Sequence, residues 1–96
     1  MNLNDIKKQI GPVLKQSRVE YAGVFGSVAR GEAGTTSDVD ILVKFIGPAT
    51  FSAYLDLSDR LREALGRDID LVTEGGVNKF LRPHIERDLQ MIYGQR

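Results

Sequence analysis

The sequence predicts an α/β fold, a small sheet of short strands with helices set between them. Three observations predict it. Short apolar runs rich in β-branched and aromatic residues stand at Val19–Phe25, Val39–Phe45 and 68–73. Longer stretches with apolar residues at helical spacing lie before, between and after them. Glycine, proline and small polar residues separate the two kinds of segment. Ninety-six residues are enough for one core and no second lobe, so a single domain over residues 1–96 is expected.

In chain order, residues 4–16 read as an amphipathic helix with Ile6, Ile10, Val13 and Leu14 on one stripe and Asn4 as its cap. Gly11-Pro12 is expected to bend or interrupt it, since proline removes a backbone donor and crowds the preceding turn. Val19–Phe25 is the first strand. Ser27 is placed to cap a short helix over 28–30, after which the polar GEAGTTS turn leads to the second strand, Val39–Phe45, closed by Gly47-Pro48. A longer helix, Phe51–Leu65, follows with Thr50 as cap, Gly66 as stop, and Phe51, Tyr54, Leu55, Leu61 and Leu65 turned inward. Residues 68–73 form the third strand. A last helix over 78–87 carries Phe80, Leu81 and Ile85, with Pro83 able to delay its start, and 89–93 reads as a short final strand.

Charge and composition narrow the function. Lysine plus arginine and aspartate plus glutamate number 13 each, so the basic excess of a general nucleic-acid binder is missing. Without cysteine there is no disulfide, thiolate metal site or cysteine nucleophile. MNLNDIKKQ does not read as a signal peptide and no apolar run is long enough for a membrane helix, so a cytoplasmic protein is expected.

The chemistry is concentrated between the first two strands. Alternation puts Asp38 and Asp40 on one face, their α-carbons roughly 6.5 to 7 Å apart. Two such carboxylates at 4 to 6 Å repel by about 3 to 4 kcal/mol at an effective dielectric of 20, a penalty that a divalent cation converts into a binding site. Hard oxygen donors suit magnesium. A helix opening at Ser27 would offer free backbone N–H groups and a hydroxyl to phosphate, with Gly26 allowing close approach. Asp68 and Asp70 again share a face, two positions apart.

Gly26-Ser27, ten intervening residues and then Asp38-Val39-Asp40 match a G-S-x10-D-x-D signature. With the surrounding GSVARGEAGTTSDVDILV, the chain resembles the minimal nucleotidyltransferases, or MNT domains, of the DNA-polymerase-β-like nucleotidyltransferase superfamily. That resemblance implies a mixed sheet of core order 1-2-3, helices packed on one face and the nucleotide on the other. It implies Gly26 and Ser27 on the β- and γ-phosphates of a nucleoside triphosphate and Asp38 and Asp40 on two magnesium ions. It also implies a third carboxylate, ligand and base, for which Asp70 matches best and Asp68 is the rival. Two metals roughly 3.5 to 4 Å apart stabilise both the entering and leaving oxygens of an in-line displacement.

By family habit the substrate is ATP and the donated group AMP. The acceptor is expected to be a hydroxyl, in first place a tyrosine, on a helical HEPN toxin for which such MNT proteins serve as antitoxins. The alternatives are a binding module that neutralises the partner without catalysis, and transfer to a small molecule or an RNA end. Arg30 is a nucleotide-binding candidate, and a surface ion pair with Glu32 or another acid is an equal reading. Blander readings fit the rest. His84, Lys7, Lys8, Lys15 and Arg18 read as solvated surface, Thr35, Thr36 and Ser37 as turn, and Tyr54 and Phe80 as core.

Overall fold

A computed structural model of the chain describes residues 2–32, 34 and 38–96. The expected turn residues Thr35, Thr36 and Ser37 lie outside the described residues. The elements run α1 (Leu3–Gln16), β1 (Val19–Phe25), α2 (Gly26–Ala29), β2 (Val39–Phe45), α3 (Phe51–Leu65), β3 (Ile69–Thr73), a 3-10 turn (Glu74–Gly76), α4 (Arg82–Asp88) and β4 (Gln90–Tyr93).

Helix α1 is capped by Asn2, whose side chain accepts from the Asp5 N–H at 2.9 Å, and not by Asn4. It continues through Pro12, so the expected interruption does not occur. Pro12 sits on the solvent side, and the buried stripe of Ile6, Ile10 and Leu14 holds the turns on either side of it to the core. Helix α3 has the expected ends: Thr50 Oγ1 accepts from the Ala53 N–H at 3.1 Å, and Gly66, left-handed at φ 65°, donates to Arg62 O at 2.8 Å. Its inner face differs from expectation. Leu57, Leu61 and Leu65 are buried at four-residue spacing, whereas Phe51 (76% exposed) and Leu55 face outward, because two residues of helix separate Leu55 from Leu57 by about 200°.

The four strands are ordered β3-β2-β1-β4. Strand β1 is antiparallel to β2 and β4, while β2 and β3 are parallel, making the sheet mixed with the core order 1-2-3. Alternation then sorts the side chains. Val24, Val39, Ile41, Val43, Ile69 and Leu71 join the cluster formed with α1 and α3. Phe25 and Leu42 turn to the other face, where Ile85 of α4 packs on them beside Val72, Leu81 and Leu89. Pro83 does delay the last helix, which starts at Arg82 after a turn in which Asn78 Oδ1 accepts from the Phe80 and Leu81 N–H groups at 2.9 and 2.8 Å. Phe80 rides on that turn, 76% exposed beneath the Lys79 ammonium at 5.3 Å, and is therefore not core. Among the described residues no helix is long and apolar enough to cross a membrane.

Candidate active site

The second face of the sheet carries the acids. Asp40 lies two positions before Leu42 and Asp70 two before Val72, so both carboxylates share the face on which α4 packs. Across the parallel pair Asp40 is the direct partner of Asp70, and across the antiparallel pair it is the partner of Phe25. Asp68 precedes β3 and contributes its carbonyl, which accepts from the Val39 N–H at 3.0 Å. Asp70, not Asp68, is thus the acid beside Asp40.

Gly26 closes the site from β1. It is left-handed, with φ 72°, and a methyl group built on its α-carbon would collide with Asp40 Oδ2. Only glycine supplies both that backbone angle and that clearance. The glycine and the aspartate of the motif are therefore one packing unit, although fourteen positions apart.

Burial, then the negative charges of Asp70 and Asp38, then a side-chain hydrogen bond with Asp70 push the Asp40 carboxyl up to about 6. The nearby Arg30 guanidinium acts in the opposite direction. Asp38 is exposed, just ahead of β2. The acids expected to converge as a trio thus form a tight pair with a flanking charge, and among the described residues no three His, Cys, Asp or Glu side chains make a ready cage for an ion. The pair still fits magnesium, which binds through one or two carboxylates and fills its shell with water and substrate phosphate oxygens.

Ser27 stands half-buried inside the first turn of α2, which opens at Gly26 with Phe25 as the cap residue. The expected serine cap is absent, because the positive φ of Gly26 starts the turn one residue earlier. Arg30 ends α2. Its Nε donates to Glu32 Oε2 at 2.9 Å and its Nη1 to Asp88 Oδ2 at 2.6 Å. The first of these is the ion pair weighed from the sequence. The second was not legible there, since only a carboxylate placed at the negative end of a helix marks Asp88 as unusual. Lys7, Lys8, Lys15, Arg18 and His84 are exposed, and Tyr54 packs on the core while its hydroxyl donates to Leu71 O at 2.6 Å.

Residues 8–96 match the family model described as polymerase beta, nucleotidyltransferase. The chain belongs to the polymerase-β-type nucleotidyltransferases. Among curated relatives of this nucleotidyltransferase, Putative protein adenylyltransferase MJ0435 of Methanocaldococcus jannaschii is 39% identical over 85 residues, covering 88% of this chain and 91% of its own. Protein adenylyltransferase MntA of Thermococcus cleftensis is 37% identical over 71 residues, covering 74% of this chain and 72% of its own. Among solved structures, a chain of a toxin–antitoxin crystal structure with AMP-PNP superposes with a TM-score of 0.81 at 24% identity, covering 94% of this chain and 74% of that one. A chain from the complex of tri-AMPylated Shewanella oneidensis HEPN toxin with MNT antitoxin gives 0.75 at 21% identity, covering 97% and 73%. At those identities the two superpositions establish the fold of this nucleotidyltransferase. The chemistry rests on the family match and on the site.

Proposed function

We propose that this nucleotidyltransferase moves AMP from ATP, with magnesium, to a tyrosine hydroxyl of a HEPN-type toxin and so acts as its antitoxin in the cytoplasm. The observation that carries the transfer is Asp40, wedged between Gly26 of the phosphate-facing turn and Asp70 of the neighbouring strand. The choice of AMP and of a protein acceptor draws on the adenylyltransferase relatives, and the choice of partner on the toxin–antitoxin neighbours.

In this reading Asp38, Asp40 and Asp70 are the carboxylates that would hold two magnesium ions with the nucleotide. Magnesium held there supplies the positive charge that offsets the carboxylates and polarises the α-phosphate. Gly26 and Ser27 bind the β- and γ-phosphates through the backbone N–H groups and the hydroxyl of the opening turn, and Arg30 adds charge at the rim. Asp70 takes the proton of the acceptor hydroxyl. The acceptor's hydroxyl oxygen, having given up that proton, forms a bond to the α-phosphorus while the bond from that phosphorus to the oxygen bridging to the β-phosphate breaks, and pyrophosphate leaves.

The test is incubation of the protein and its HEPN partner with magnesium and ATP labelled at the α-phosphate. Label on a partner tyrosine with the intact protein, and none with Asp38→Ala plus Asp40→Ala, is the expected result. Equal neutralisation of the partner by both forms without label would make the chain a binding module. Label on a small molecule or an RNA end would move the acceptor.

A further inference from the structure

Asp88 breaks a local rule. It is the last residue of α4, where the helix dipole disfavours a carboxylate, and its side chain is only 5% exposed, which makes an unpaired charge costly. Two guanidinium groups offset that cost. Arg87 grips both oxygens, Nε on Oδ1 at 3.0 Å and Nη2 on Oδ2 at 3.3 Å. Arg30 reaches across from α2 to Oδ2 at 2.6 Å, a contact spanning 58 positions of sequence.

The far side of Arg30 is as informative. Its side chain remains 37% exposed, its charge is felt at Asp40, and among the described residues its Nη2 donates to no protein acceptor. A long, flexible side chain is thereby fixed at two of its three nitrogens, and it stays partly exposed within electrostatic range of Asp40. A merely structural α2–α4 tie would not need a cation within range of Asp40.

We infer that Asp88 is a positioning residue, which holds the Arg30 guanidinium at the rim of the carboxylate site so that it meets the polyphosphate of the nucleotide. The inference rests on the function proposed above. Asp88 touches neither substrate nor metal and acts only through Arg30. Fixing Arg30 beforehand removes the rotamer entropy that binding would otherwise cost. Arg87 pairs with both Asp88 oxygens and so shares with Arg30 the neutralisation of that carboxylate.

Calorimetric titration of the full chain with the magnesium complex of a non-hydrolysable ATP analogue tests this, using wild type, Asp88→Asn, Arg30→Ala and the double variant. The expected result is a loss of affinity of about tenfold for each single variant and no further loss in the double, the signature of one residue working through the other. Steady-state transfer by Asp88→Asn should show the loss in KM for ATP, with kcat largely kept. Undiminished binding by Asp88→Asn, or losses that multiply in the double variant, would overturn the inference while leaving the proposed function intact. Undiminished binding by Arg30→Ala would do the same. A wild-type protein with no affinity for the complex would instead overturn the proposed function, and the inference with it. Should Asp88→Asn fail to fold, nitrogen-15 resonances of wild-type Arg30 decide: a slowly rotating guanidinium that shifts on adding the complex supports the role, and an unmoved one refutes it.

Discussion

Asp40 and Asp70 face each other across the parallel β2–β3 pair, and their mutual repulsion, added to burial, holds the Asp40 carboxyl at about 6. A proton held there below about pH 6 relieves the repulsion that a divalent cation would offset at neutral pH. Folding and function therefore pull this residue in opposite directions.

The pH dependence of stability follows in sign. The Asp40 carboxyl is raised from 3.8 to about 6 on folding, so between those values the folded chain keeps a proton that the unfolded chain has lost. Its contribution falls as pH rises through that window, and the full penalty stands above it. Asp40→Asn should melt at higher temperature than wild type at pH 7.5, and the difference should shrink at pH 4. The same variant should lose transfer altogether.

Gly26→Ala is expected to fail on two counts. The left-handed backbone costs a non-glycine residue about 1 to 2 kcal/mol, and the new methyl displaces the Asp40 carboxylate. Denaturant unfolding should register the first effect. Loss of magnesium-nucleotide binding by calorimetry should register the second.

The two candidate third acids separate cleanly by mutation. Asp70→Asn should lower the transfer rate at least 100-fold, the usual scale for removing a positioned base, while Asp68→Asn should stay within a few-fold of wild type. Single-turnover assays with labelled ATP and the partner would rank them, and the reverse order would assign the role to Asp68.

Away from the site, Glu74 is the hub of a second network. Tyr21 Oη donates to it at 2.6 Å, and Arg82 and Arg96 pair with it at 3.3 and 2.9 Å. Burial alone would raise the Glu74 carboxyl, but hydrogen bonds from Arg96 and Tyr21 bring it down to about 2. A lowered carboxylate stabilises above its unfolded value and loses that contribution as pH falls toward 2. Glu74→Gln should cost about 1 to 2 kcal/mol at pH 7, a figure kept modest for solvent screening, and the gap should narrow below pH 4.5. Urea unfolding at both pH values measures it.

Much of this was readable from the chain. Strands β1 and β2 and helix α3 have the bounds that their apolar patterns, Thr50 and Gly66 announce. The end of the apolar run at Gly26-Ser27 located the bend, because that depends on local geometry. What escaped depends on contacts distant in sequence or on fine helical phase. Leu57 takes the inward position given to Leu55, a choice the sheet makes. Ser27 loses its cap to the positive φ of Gly26, and Phe80 leaves the core because the Asn78 turn carries it outward. Asp88 has no local signature pointing to Arg30, 58 positions away.

Strand β2 lies in the interior of the sheet, bonded to β1 on one side and β3 on the other, with helices α1 and α3 on one face and α4 on the second. Its amides should be among the slowest in the molecule to exchange with deuterium, opening only with global unfolding. The anionic anchor is thus tied to the most durable part of the protein. Residues at the periphery can be replaced without loosening that frame.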